Sequence, residues 1–178
     1  MKMDCVSRLT TTPVNKSALV FCIIMSFNFL VDAQVSKSIP LEIVGFVARK
    51  STDKNEFKNK ADWIDLKNTG STKLNLPEFK VFLTDKGMSD PFKFELPQKT
   101  LAPGETWRIW CDGENVYANQ IHSNFRLSKK GEALGLYYQE NENKAVPIDV
   151  WNYTKLSNKE KGKEKINGKI VPILIIQE

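Results

Sequence analysis

The chain has 178 residues, 41% hydrophobic and 26% charged, with 26 Lys and Arg against 21 Asp and Glu for a formal net charge of +5. That length holds about one domain with residues to spare, and the apolar content excludes a disordered chain. Three cysteines exclude a disulfide-dense scaffold, and a single histidine, His122, excludes most histidine-based zinc sites and any two-histidine catalytic scheme.

The first 33 residues read as an export signal. Lys2, Arg8 and Lys16 precede a charge-free stretch over 17–31, and the small residue Ala33 stands before Gln34. A basic start, a short apolar run and a small residue at the cut describe a secretory signal peptide. A buried helix or membrane anchor is the competing reading, but the run is shorter than the ~20 apolar residues a span needs and contains Asn28. A lipoprotein signal would end at a cysteine such as Cys22, yet Phe21 occupies the place of a small residue. Cleavage after Ala33 leaves residues 34–178, secreted or periplasmic, with Cys111 as the only cysteine. Cys111 is then a buried small hydrophobe, a free thiol or half of an interchain pair.

From Gln34 onward, turn formers recur every 8–15 residues and the gaps alternate apolar and polar side chains. The alternation places Ile43, Gly45 and Val47 on one face, then Ile64 with Leu66, the run Phe92-Lys93-Phe94-Glu95-Leu96, Trp107 with Ile109 and Cys111, Leu134 with Leu136 and Tyr138, and Val146 with Ile148 and Val150. Turns are expected at 68–71, 85–87, 102–104, 112–113 and 130–131. Seven to nine short strands without a helical stripe predict an all-β sandwich or barrel.

One constellation is more specific. Asp62-Trp63-Ile64-Asp65-Leu66-Lys67-Asn68-Thr69-Gly70 is followed by Leu74-Asn75-Leu76, Val81-Phe82-Leu83-Thr84-Asp85, Phe92-Lys93-Phe94 and Leu101-Ala102-Pro103-Gly104-Glu105. Then come Trp110-Cys111-Asp112-Gly113, the string 121–132 with Asn124-Phe125-Arg126-Leu127 at its centre, and Ile148-Asp149-Val150-Trp151-Asn152-Tyr153. In content and order these pieces resemble the lamin-tail domain family over about 39–153, most closely its exported bacterial type. The resemblance implies an immunoglobulin-like β-sandwich over 34–154, preceded by the signal and acting as a non-catalytic interaction module. Two alternatives stand beside it: an accessory to a separately encoded secreted enzyme such as a nuclease, or a surface protein that self-assembles through the Ile-rich C-terminal strand. Leu41-Glu42-Ile43 lacks the asparagine of the family's first strand. Asn68 and Gly70 suit a turn with positive φ, Pro103-Gly104 suits a type II turn, and Phe125 and Leu127 suit core plugs with Asn124 bonding the loop backbone.

Residues 155–178 differ in composition. Residues 34–154 are nearly neutral, whereas 155–178 hold six lysines and three glutamates. The stretch 155–169 reads as a solvated linker. The Ile-rich end beyond it, too short to span a membrane, reads as a returning edge strand or a segment that pairs with another chain, since Pro172 disfavours a central strand. Lys155, Lys159, Lys161, Lys163 and Lys165 are the candidate contacts for a polyanion, nucleic acid included. Arg49, Lys50, Lys54, Lys58 and Lys60 form a second, diluted basic cluster.

Trp63, Trp110 and Trp151 are the candidate aromatic contacts if they face away from the core; otherwise they pack against each other on the outer sheet face or under lysine stems. No catalytic, metal or cofactor site is expected. His122 lacks an evident nucleophile partner, and there is no phosphate-cradling glycine loop. Asp53-Lys54-Asn55-Glu56 begins like a calcium loop but Phe57 and Lys58 break it. Asp85 with Asp90, or Asp112 with Glu114, remain as possible loop ligands.

Overall fold

The computed structural model describes residues 38–49 and 51–176, and residues from Ser38 onward form one compact unit. The expected signal segment lies outside the described residues. Among those described there is no α-helix; turn formers divide the chain into thirteen strands, five of them only two residues long. A seven-stranded sheet runs β13 (Lys169–Leu174), β12 (Glu160–Ile166), β1 (Leu41–Val47), β2 (Trp63–Asn68), β7 (Thr106–Trp110), β9 (Ile121–His122), β8 (Val116–Tyr117). A four-stranded sheet runs β11 (Lys144–Thr154), β10 (Gly131–Asn141), β4 (Val81–Thr84), β5 (Phe94–Glu95), and β3 (Leu74–Asn75) pairs with β6 (Thr100–Leu101).

Leu41, Ile43, Phe46, Ile64, Leu66 and Ile109 of the larger sheet meet Leu83, Phe94, Leu134, Leu136, Trp151 and Tyr153 of the smaller one in a single core. Each such burial contributes about 1.5–3 kcal/mol. The result is the expected immunoglobulin-like β-sandwich. Phe125 and Leu127 enter the same core, and Asn124 Nδ2 donates to the Lys93 carbonyl (2.8 Å). Gly104, at φ +74°, follows Pro103 in a turn closed by Glu105 N–H on the Ala102 carbonyl (3.0 Å), as a type II turn requires.

Period-two reading fails at two β-bulges. The β1–β2 register shifts between Ile43 and Gly45, so Phe46 rather than Val47 joins Ile43 in the core, and Val47 turns to the outer face. The β10–β11 register shifts between Leu136 and Tyr137, with Ile148 as the extra residue. Val150 is therefore exposed, while Trp151 and Tyr153 point inward. A bulge inserts one residue and reverses the facing of everything beyond it. The Ile43 N–H donates to Asp149 Oδ2 (2.9 Å), so one bulge is bonded to the other across the sandwich.

Asn68 and Gly70 need another correction, because neither has positive φ. Asn68 is fully buried, and its side chain bonds the loop instead. Its Nδ2 donates to the carbonyls of Thr72 (2.9 Å), Leu101 (3.1 Å) and Ala102 (3.2 Å), and its Oδ1 accepts the Gly70 N–H (2.9 Å).

The linker expected over 155–169 is largely a strand. Asn167 (φ +50°) and Gly168 (φ +76°) form a two-residue hairpin turn of the I′ kind between β12 and β13, and β12 pairs antiparallel with β1. The alternation that marks a strand is hidden because Lys163 and Lys165 take positions that apolar residues would hold elsewhere. β13 is the sheet edge. Ile166 and Lys169 flank the turn as a hydrogen-bonded pair, so Pro172, opposite Lys163, falls at a non-bonded position. The N–H that Pro172 lacks would therefore have faced outward, which interrupts the open donor row and disfavours edge-to-edge pairing.

Candidate interaction surface

Trp63 and Trp110 do lie on the outer face of the larger sheet, but they are buried, at 8% and 3% exposure, in a small cluster with Val47. Arg108 covers them: its guanidinium sits 3.8 Å from the Trp63 ring centre and 5.7 Å from that of Trp110. Arg108 is fixed by two bonds to Asp65 (2.8 and 2.9 Å) and one to Asp53 (2.6 Å), and Asp65 foremost holds it above the ordinary arginine value. Trp151 faces the opposite way, against Phe46 in the main core. The three candidate tryptophans thus pack the fold and present no open aromatic face.

The tail lysines divide into two groups. Lys165 Nζ bonds Glu42 Oε2 (2.8 Å), lies 3.7 Å from Asp149 Oδ2 and sits 5.4 Å from the Trp151 ring centre. Burial alone would lower its pKa, but the two carboxylates outweigh that and raise it. Lys163 pairs with Glu160 (3.2 Å). Both are structural. Lys155 and Lys159 are exposed, and Lys161 is half-buried in β12.

A different set of cations converges. Arg49, Lys129, Lys130 and Lys155, with Leu156 and Asn158, line a groove of about 470 Å³. Leu156 anchors it: its side chain is 2% exposed in the core, and its N–H donates to the Lys129 carbonyl (2.9 Å). Arg49, just past β1, donates through Nη1 to the Ser157 carbonyl (3.1 Å) and Asn158 Oδ1 (3.2 Å). Tyr153 Oη donates to the Ser128 carbonyl (2.7 Å) and steadies the turn that carries Lys129 and Lys130. Among the described residues no carboxylate lines the groove. Sequence reasoning missed Lys129 and Lys130, because a Lys-Lys pair in a turn carries no signal until folding brings it to Lys155. Of the basic cluster over 49–60, Lys50 lies outside the described residues, while Lys54 and Lys60 line other clefts.

The side chains that might have carried chemistry are enclosed. Cys111 is 1% exposed, and burial pushes its thiol well above the usual range. His122 is fully buried, with Nδ1 2.6 Å from Asp112 Oδ2, Nε2 3.4 Å from Glu56 Oε1 without a formed hydrogen bond, and the Phe57 ring centre 4.9 Å away. Asp85, a possible loop ligand, is paired with Lys93 at 2.5 Å. Asp112 accepts from Asn55 Nδ2 (3.1 Å) and the Glu114 N–H (3.3 Å). Among the described residues no group of three or more His, Cys, Asp or Glu is placed to hold a metal ion.

Asp62 and Cys111 line a cleft of about 660 Å³ together with Arg126. Burial, and then the charge of Glu132, push the Asp62 carboxyl from 3.8 up to about 7, against the opposing charge of Arg126. Burial raises Glu132 as well. The folded state therefore keeps protons that the unfolded chain releases. The associated stability is fully present below the ordinary carboxylate range and falls as pH rises from there to about 7. Asp62→Asn is expected to remove roughly 1–2 kcal/mol of that fall, allowing for solvent screening at a partly exposed carboxyl. Denaturant titrations on either side of the window check this; an equal pH slope in the variant and the unchanged protein would refute it.

Two packed sheets, antiparallel except for the β7–β9 pair, a core-plugging Asn-Phe-Arg-Leu loop and an asparagine-stitched turn after the Trp63 strand define an immunoglobulin-like domain. The model of the Lamin Tail Domain family matches residues 34–155, and the chain belongs to that family, which is non-enzymatic. The β12–β13 hairpin lies beyond the matched span. A comparison with curated proteins gives no match. No helix among the described residues is long and apolar enough to cross a membrane.

Proposed function

We propose that this is an exported, non-catalytic interaction module that engages an anionic partner through the groove of Arg49, Lys129, Lys130 and Lys155. The observation that carries the proposal is charge without compensation. Four cations from three segments line one concavity, and among the described residues no carboxylate lines it and no ion pair engages Lys129, Lys130 or Lys155. Gathering like charges is unfavourable unless an anion repays it. The burial of Cys111 and His122 supports surface recognition over catalysis.

Polyphosphate is a suitable probe. Its binding constant is expected to fall with salt at a logarithmic slope of about −3 for four cations, dropping to about −1 in Lys129→Gln/Lys130→Gln/Lys155→Gln. An unchanged slope in the triple variant would remove the groove from the reading.

A further inference from the structure

We infer that the end of the domain bearing this groove docks on a bilayer of anionic phospholipid, with headgroup phosphates among the four cations and Leu174 and Ile176 entering the interface. The inference rests on the anionic-partner reading and names the partner. Its new observation is an apolar prong at the same end. The Ala48 N–H donates to the Lys161 carbonyl (2.9 Å), and the Ile175 N–H donates to the Lys159 carbonyl (2.8 Å). Leu174 pairs with Glu160. With Arg49 bonded to Ser157 and Asn158, these contacts bring the last residues of β13 beside the groove.

Alternation in β13 then decides which side chains are bare. Ile173 turns onto the Val47–Trp63–Trp110 cluster, whereas Leu174, on the other face, is 56% exposed and Ile176 is 87% exposed. The nearby carboxylate of Glu160 is occupied by the Ser157 N–H (2.7 Å) and Lys163 (3.2 Å), so it does not neutralise the groove.

A soluble polyanion would use the cations and leave the two aliphatic side chains in water. A second copy of the chain added edge to edge would have to pair along β13, where Pro172 interrupts the donor row, and would leave the groove cations without an anion. An anionic bilayer satisfies both features at once, since phosphates meet the cations and the acyl boundary accepts the aliphatic groups.

The test is sedimentation with vesicles of phosphatidylcholine, with and without phosphatidylglycerol, using the chain from Gln34. That form keeps every strand of the described residues and omits the apolar stretch over 17–31, which would itself enter lipid. Binding is expected only to phosphatidylglycerol-containing vesicles. Leu174→Ser/Ile176→Ser is expected to weaken it about tenfold or more while leaving polyphosphate binding unchanged. Both positions are exposed, and circular dichroism verifies that the variant is folded. Equal binding to both vesicle types, or no effect of the Ser pair on vesicle affinity, would overturn the inference. Polyphosphate binding without vesicle binding would overturn it too while leaving the anionic-partner reading intact. If the triple Gln variant binds polyphosphate as the unchanged chain does, both fall.

Discussion

Gly162→Ala is expected to strip the β12–β13 hairpin from the sheet while leaving the main core folded. A Cβ at Gly162 would collide with the Phe46 carbonyl oxygen and lie 2.8 Å from Val47 Cα. Both are backbone atoms of β1, held in register on their other side by β2, so neither can yield as a flexible side chain would. Overpacking usually costs 1–3 kcal/mol, and a clash with a fixed backbone belongs at or above the top of that range, about 3 kcal/mol or more. The hairpin has little to hold it otherwise. Its packing contribution is mainly Ile173 on the outer cluster, and its polar contribution is Lys165 with Glu42 and Asp149. In the variant, amides of β12 and β13 should exchange rapidly and trypsin should cut at the tail lysines, while β2 and β7 stay protected. Equal protection of the hairpin in both proteins would contradict this account of the close approach.

Asn68→Ala should be the most damaging single change at a polar position, at about 3–5 kcal/mol. The substitution takes the side-chain partner from the Gly70 N–H and from the Thr72 and Leu101 carbonyls, while the Ala102 carbonyl keeps the Glu105 N–H. Each buried group left without its partner costs about 1–3 kcal/mol, and the partial exposure of Gly70 and Thr72 keeps the total well below three full losses. Asn68→Asp separates donor from acceptor. It keeps an oxygen for Gly70 but sets a carboxylate against three carbonyls, so it should be no milder than alanine. Chemical denaturation of the two variants measures the difference. Substantial rescue by aspartate would mean that the Gly70 bond, and not the carbonyl stitching, carries the turn.

What could be read before folding, and what could not, follows from how far each pattern reaches. The β2 and β7 alternation, the Pro103-Gly104 turn and the Phe125 and Leu127 plugs are local, and the structure places them as expected. The facings of Val47 and Trp151 escape a local reading because a bulge reverses phase without leaving a local mark. The hairpin does carry a local mark, since Asn167-Gly168 is a strong two-residue turn signal. It was overshadowed by lysines, whose aliphatic stems can lie along apolar surface while the ammonium reaches a carboxylate, as Lys165 does beside Trp151. The groove was illegible for a different reason. Arg49, the Lys129-Lys130 turn and Lys155 are far apart in sequence, and no window contains them together.

The bond from the Ile43 amide to Asp149 has a bearing on how the chain reaches this state. The amide at Ile43 finds this acceptor only if the irregularity in β11 has already formed in its proper place, 106 residues away. Each sheet therefore checks the other's register. A strand that slipped by one position in either layer would leave a carboxylate facing an amide it cannot reach, and the error would be felt in both layers at once. The two halves of the sandwich should accordingly become committed in a single cooperative step, with neither hairpin persisting in its final register alone.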